Sequence, residues 1–208
     1  MRRTFIVSGT DTGIGKTAAA ALLTLGLGAH YWKPIQSGTE DGTDTNTVKA
    51  LTGLPEDRFL PEAYVLAAPL SPHRSAELDG VIIETGRLAL PQVDGPLIVE
   101  GAGGLMVPIR RDLLQIDLFK RWDAPVILCA RTGLGTINHT LLSIEALRAR
   151  AIPLHGLLFI GDDNPDNIRT IAELSGARIL GRLPWLEQMH AESLKAVFAE
   201  TFNAGDFA

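Results

Sequence analysis

Cysteine is almost missing from this sequence. Cys129 stands alone among 208 residues, which excludes an internal disulfide, and it lies in the apolar run 126–130 as a small buried hydrophobe would. An excess of basic residues is missing too. With 19 Lys and Arg against 24 Asp and Glu, the net charge of −5 leaves no broad electrostatic footprint for nucleic acid. No apolar run reaches the length of a membrane span, so no membrane partner is expected. Met1-Arg2-Arg3 has the charge of a signal-peptide start, but the apolar run behind it ends at Ser8-Gly9, too soon for a hydrophobic core region. A soluble intracellular protein is the expectation. Repeats, low-complexity tracts and linkers are absent as well. Apolar residues at 46% and charged residues at 21% describe an ordinary globular chain, and residues 1–208 read as one domain.

What is present starts at residue 8. Ser8-Gly9-Thr10-Asp11-Thr12-Gly13-Ile14-Gly15-Lys16-Thr17 follows the apolar run Thr4 to Val7 and opens the Ala/Leu-rich segment Ala18 to Leu25. Strand, Gly-rich turn and helix in that order are what a phosphate-binding loop needs. Backbone N–H groups and a helix N-terminus converge on the phosphates, the Lys ammonium reaches the outer ones, and the following hydroxyl can ligate Mg²⁺. The strict G-x-x-x-x-G-K-[ST] pattern wants Gly where Thr10 stands, and the Gly comes one place earlier, at Gly9. A nucleoside triphosphate is the expected ligand.

Further apolar, β-prone runs recur at His30–Ile35, Leu97–Glu100, Pro125–Ala130 and Leu154–Ile160, with a weaker one at Arg178–Leu183. Helical patterns lie between them, at Thr45–Leu51, Leu113–Arg121, Thr136–Ala149, Asn164–Ser175 and Glu192–Phe202. Near-continuous apolar strands alternating with amphipathic helices predict an α/β fold: one doubly wound, mainly parallel sheet with helices on both faces. The Pro-rich stretch Pro55 to Pro72 reads as loop. Ligands in such sheets bind at the carboxyl ends of the strands. Three Gly-punctuated segments fall there: Lys33-Pro34-Ile35-Gln36-Ser37-Gly38, Glu100-Gly101-Ala102-Gly103-Gly104 and Arg131-Thr132-Gly133-Leu134-Gly135-Thr136.

Glu100 ends a very apolar strand, where a carboxylate is costly to desolvate without a cation; it is a candidate Mg²⁺ ligand or a cap for the next turn. Asp44 precedes a helical pattern and is equally readable as a ligand or an N-cap. Lys33, beside Ser37 and Gly38, can cradle a second anion, and two lysines plus Mg²⁺ would serve phosphoryl transfer. The helix opening at Gly135-Thr136-Ile137-Asn138 suits anion capture, though a plain Thr or Asn cap explains the same letters. His73 and His139 lack metal-ligand spacing and a nucleophile partner, so both read as structural.

Taken in order, the loop 9–17, Lys33 to Gly38, Ser71-Pro72-His73, Val99 to Gly104 and Gly135 to His139 resemble the dethiobiotin synthetase family from Thr4 to about Leu186. The displaced loop glycine is a feature of that family. The resemblance implies a cytoplasmic, homodimeric, Mg²⁺- and ATP-dependent ligase of biotin synthesis with a P-loop fold. It implies conversion of 7,8-diaminononanoate and CO₂ to the cyclic urea dethiobiotin, through a carbamate and a carbamic–phosphoric anhydride, with release of ADP and phosphate. It assigns ATP to Thr12, Gly13, Ile14, Gly15, Lys16, Thr17, Asp44, Glu100, Gly101, Ala102, Gly103, Gly161, Pro184, Trp185 and Leu186. It assigns Mg²⁺ to Thr17, Asp44 and Glu100, and catalysis to Lys33, Lys16 and Thr12. Thr12 and Ser37 would face the diamine or carbamate, and the amides of Gly135, Thr136, Ile137 and Asn138 would take the substrate carboxylate across the dimer. One departure stands out. Many family members read the adenine edge with an Asn where this chain has Gly161, which implies relaxed base selectivity.

Three other classes share parts of the pattern. Amide-forming ligases of the cobyrinic-acid type carry an additional glutamine-hydrolysing domain, for which 208 residues leave no room. Partitioning ATPases usually place a Lys near the start of the loop, where this chain has Gly9 and Thr10. A nucleotide-binding domain without chemistry accounts for Lys16 and Thr17 but not for Lys33, Ser37 and Glu100.

Overall fold

Alternate residues of the strands are buried on opposite faces, and this decides the architecture. In β1 (Thr4–Gly9), Phe5 and Val7 join one apolar cluster and Ile6 another. A computed structural model describes residues 3–207; Met1 and Arg2 of the charged start, and Ala208, lie outside the described residues. After β1 the chain runs through α1 (Lys16–Gly26), β2 (His30–Trp32), β3 (Ile35–Ser37), α2 (Asp44–Thr52), β4 (Phe59–Leu60), β5 (Tyr64–Leu66) and α3 (Pro72–Asp79). Then come β6 (Leu97–Gly104), β7 (Pro108–Arg110), β8 (Leu113–Leu114), α4 (Gln115–Trp122) and β9 (Val126–Arg131). The last elements are α5 (Thr136–Ala149), β10 (Leu154–Ile160), α6 (Pro165–Ser175), β11 (Ile179–Leu183) and α7 (Ala191–Thr201).

Seven strands form one sheet in the order β11-β10-β9-β1-β6-β2-β4, with every pairing parallel. One face packs Val7, Ile98, Ile127, Leu158 and Ile160 against α1 and against Val48 of α2 and Phe198 of α7. The other packs Ile6, Leu128, Leu157 and Phe159 against Ile116 of α4, Ile144 of α5 and Ile171 of α6. Both faces are therefore dry, as near-continuous apolar strands require. The doubly wound parallel sheet expected from the sequence is the fold observed. Cys129 sits in its centre, fully buried and unpaired, and burial pushes its thiol up to about 12. It is an inert core residue.

Three segments differ from their sequence reading. The Gly-rich stretch 101–104, expected to follow a strand ending at Glu100, continues β6, so Glu100 stands midway along that strand. The run 30–35 is not one strand: β2 stops at Trp32, and β3 pairs with β5 in a separate two-stranded sheet. Pro34 has no N–H to give to a ladder and restricts Lys33 before it, so the chain breaks there. The stretch 55–72 is not all loop either, since it holds β4 and β5. Strands of two or three residues leave no periodic signal. The break at Lys33-Pro34 matters because it occurs at the carboxyl end of β2, on the rim where ligands bind in open α/β sheets.

Candidate active site

The phosphate loop joins β1 to α1, and its geometry depends on glycine. Gly15 is the N-cap of α1 at φ 99°, a left-handed conformation that L side chains rarely adopt, and a Cβ there would come 3.1 Å from the Ile160 side chain. Lys16 folds back so that Nζ donates to the Asp11 carbonyl at 2.9 Å, and Arg131 at the end of β9 donates to the Thr12 and Gly13 carbonyls at 3.4 and 3.3 Å. Burial, followed by the nearby Lys33 ammonium, holds the Lys16 pKa below the ordinary 10.5. The lysine is 7% exposed within the loop and so poorly solvated.

Beside the loop lies a polar cluster just past β2 and midway along β6. Lys33 Nζ is 2.6 Å from Asp44 Oδ2 and 2.9 Å from Glu100 Oε1, and it also donates to the Gly101 carbonyl at 3.2 Å. Thr17 Oγ1 donates to Glu100 Oε1 at 2.9 Å, and the Tyr31 hydroxyl donates to Oε2 at 2.8 Å. Glu100 is 1% exposed and Lys33 4%. Burial pulls the Lys33 pKa down, but the Glu100 and Asp44 carboxylates outweigh it and leave the ammonium more basic than an ordinary lysine. For Asp44, burial acts upward and the Lys33 ammonium, by charge and hydrogen bond, carries its carboxyl below the usual range. Burial and the Glu100 charge keep Tyr31 protonated far into alkali.

Asp44 is free for this cluster because it is not the cap of α2. Thr43 takes that position and its hydroxyl accepts from the Asn46 amide at 3.2 Å. The donor set formed by Thr17, Asp44 and Glu100 is all oxygen, a hydroxyl and two carboxylates, and the Lys33 ammonium lies between the carboxylates. Mg²⁺ takes one or two carboxylates and keeps waters and phosphate oxygens for its other positions. The residues present suit it. Among the described residues no three His, Cys, Asp or Glu side chains cluster in a way that could hold a metal ion.

Loop and cluster open on one cavity of about 600 Å³. Thr12, Gly13, Gly15, Lys16, Thr17, Lys33, Ser37, Asp44, Glu100, Ala102 and Gly103 all line it. The Ser37 hydroxyl is buried in this wall without a hydrogen-bond partner, an unmet polar group beside the cavity. Other sequence candidates lie elsewhere. The Ile14 side chain is in the core, and Gly101 reaches the site only through its carbonyl. Gly161 hydrogen-bonds through its N–H to the Leu183 carbonyl and lies by the exposed Trp185, next to Pro184 and Leu186 and on the Ile160 side of Gly15. The turn Gly135 to Asn138 opens α5 outside the cavity, with Gly135 as N-cap at φ 90°, so neither Thr136 nor Asn138 caps that helix. The Thr136 hydroxyl is turned inward to the Arg131 carbonyl. His73 Nδ1 pairs with the Ser71 hydroxyl at 3.0 Å, a local structural contact.

Three residues of the site were given no role by sequence reasoning. Tyr31 holds Glu100. Gln36 accepts from the Asp44 amide at 3.0 Å and donates to the Gly38 carbonyl at 2.9 Å. Gln115, 2% exposed, props the last residues of β6 by accepting from the Ala102 amide and donating to the Gly104 carbonyl. Gln36 falls within a motif singled out for its Lys and Ser, so its position was visible although its task was not.

Sheet and loop together define a P-loop nucleotide-binding α/β protein. A family profile described as an AAA domain matches residues 3–193. The chain is 59% identical to the ATP-dependent dethiobiotin synthetase of Rhodopseudomonas palustris strain HaA2, covering 100% of this chain and 97% of that one. It is 58% identical to the ATP-dependent dethiobiotin synthetase of Agrobacterium fabrum, covering 98% and 96%. The chain belongs to the dethiobiotin synthetase family. Its fold is also similar to that of a plasmid partition protein from Borrelia burgdorferi, with a TM-score of 0.57, 11% identity, and 96% and 97% of the two chains covered. That likeness is one of fold alone.

Proposed function

We propose that this chain catalyses the ATP-dependent closure of 7,8-diaminononanoate and CO₂ to dethiobiotin, in the cytoplasm and as a homodimer. The observation that carries this reading is the convergence of Lys16, Lys33, Asp44 and Glu100 on one cavity at the strand ends. The amides of 12–17 and Lys16 hold the triphosphate. Lys33 and the Ser37 hydroxyl face the second substrate. One amine of the diamine adds to CO₂, loses a proton and becomes a carbamate, whose negative charge the Lys33 ammonium neutralises. A carbamate oxygen attacks the γ-phosphorus, the bond to the β–γ bridging oxygen breaks, and ADP leaves. The second amine then attacks the carbonyl carbon of the anhydride, phosphate departs, and loss of the amine proton leaves the cyclic urea. Mg²⁺ held by Thr17, Asp44 and Glu100 would supply charge neutralisation at the transferring phosphoryl group. The turn Gly135 to Asn138, of which Gly135 and Asn138 are exposed on this protomer, takes the substrate carboxylate of the partner's site through its backbone amides.

The direct test is coupling. ADP formation is expected to require both the diamine and bicarbonate, and equal ATP hydrolysis without the diamine would sink the ligase reading. A second test uses pH. Lys16 binds phosphate only when protonated, and its pKa in the free protein is lowered from 10.5 by burial. Phosphate binding raises that pKa again, so net proton uptake on ATP binding is expected at alkaline pH below 10.5. In that range phosphate ionisation, near pH 6, is complete and contributes nothing. Calorimetry in two buffers of different ionisation enthalpy measures the uptake; none at any pH below 10.5 would exclude Lys16 as the phosphate-binding cation.

A further inference from the structure

Glu100 has two carboxylate oxygens, and they are not equivalent. Oε1 faces Thr17 and Lys33 at 2.9 Å each, on the cavity side, while Oε2 receives the Tyr31 hydroxyl at 2.8 Å. Tyr31 has no freedom to leave. Its residue is 0% exposed, its strand is paired on both sides with Ile98 of β6 and Phe59 of β4, and its ring meets the Phe59 ring edge-on at 6.3 Å. We infer that Tyr31 is a positioning residue that keeps Oε2 of Glu100 engaged, so that Glu100 offers a divalent cation one oxygen and the site favours Mg²⁺ over Ca²⁺. The inference rests on the metal reading given under the proposed function.

The physical reason lies in how the two ions use carboxylates. Mg²⁺ demands near-octahedral geometry and accepts single oxygens, keeping waters around the rest of its shell. Ca²⁺ takes six to eight oxygens and readily uses both oxygens of one carboxylate. A carboxylate whose second oxygen is already hydrogen-bonded within the core cannot swing into the bidentate mode without leaving a buried hydroxyl unpaired. The shell behind a ligand commonly tunes a metal site this way, by fixing which atom of the ligand is presented.

The test is Tyr31→Phe, which removes only the hydroxyl, with Mg²⁺ and Ca²⁺ titrated by calorimetry into protein loaded with a non-hydrolysable ATP analogue. Mg²⁺ affinity is expected to fall about tenfold, the scale of one hydrogen bond to a charged group. Ca²⁺ affinity is expected to hold or tighten, while metal-free binding of the analogue stays unchanged. A Mg²⁺ to Ca²⁺ preference equal to that of the unsubstituted protein overturns the inference. A measurement without substitution guards against a variant that does not fold. The chain has two tyrosines, so incorporation of a fluorinated tyrosine gives two ¹⁹F resonances. That of residue 31 is expected to move when Mg²⁺ is added, and an unmoved resonance also overturns the inference. If neither cation binds the unsubstituted protein, the metal reading itself falls and takes this one with it. If Mg²⁺ binds and Tyr31 proves indifferent, only this inference is lost.

Discussion

Lys33→Gln is expected to lower turnover about a thousandfold while leaving ATP affinity within about twofold, the loss typical of one preorganised donor aimed at developing charge. The ammonium is almost fully buried and lies between Asp44 and Glu100, whereas the triphosphate is assigned to Lys16 and the loop amides. Binding and chemistry should therefore separate. Stability should respond as well. Without Lys33 two carboxylates face each other, and removing one partner of a buried ion pair costs about 3–5 kcal/mol. Asp44, whose side chain is 31% exposed, can relax toward water, so the cost falls mainly on Glu100 and should lie near the lower end. The melting temperature of the variant is expected to drop, and Mg²⁺ with ATP analogue to recover part of the drop by supplying the missing positive charge. Steady-state rates, calorimetric affinity and thermal unfolding with and without Mg²⁺ measure these effects. Unchanged turnover in a folded Lys33→Gln protein refutes the assigned role.

Most of this site is legible in the sequence because its chemistry is contiguous. A loop that cradles phosphate must present successive amides, so Thr12 to Thr17 stand together and announce themselves between a strand and a helix. The sheet was legible for a similar reason, since strands buried on both faces become unbroken apolar runs such as 126–130. What could not be read depends on register and on very short elements. Tyr31 matters because β2 pairs with β6 so that Tyr31 stands opposite Ile98, two residues before Glu100, a placement decided by sheet order alone. Gln115 reaches back from α4 to the last residues of β6, and nothing in an amphipathic helical pattern marks one polar residue for that task. The two uses of Asp44, cap or ligand, are indistinguishable by letter. Thr43 removes the cap reading by accepting from the Asn46 amide itself. Pro34 is plain in the sequence, but its effect extends beyond its own position. It ends β2 beside Lys33 and sends β3 into a different sheet.

Glu100→Gln is expected to raise the Mg²⁺ concentration for half-maximal activity at least tenfold and to cut turnover about a hundredfold or more, the range seen when one charge-stabilising group is lost. The substitution is close in shape, and the surrounding groups can adapt. The amide oxygen can remain where Oε1 is, serving Thr17 and Lys33, while the amide NH₂ donates to the Tyr31 hydroxyl, which can accept as well as donate. The fold should survive, but the charge does not. Glu100 is the largest influence holding the Lys33 pKa up against burial, with Asp44 next. In the unsubstituted protein the folded-state pKa of Lys33 lies above its unfolded value. Its contribution to stability is therefore complete below about pH 10.4 and is lost only as pH rises through the folded pKa. Remove Glu100 and burial gains on Asp44, so Lys33 releases its proton at lower pH and the alkaline edge of stability moves down. Urea denaturation across about pH 7.5 to 11, roughly the span of lysine titration, tests this edge, and Mg²⁺-dependent turnover tests the ligand role. A Glu100→Gln protein with the same Mg²⁺ requirement and the same alkaline edge would mean that the buried carboxylate neither holds a cation nor sets the charge of Lys33.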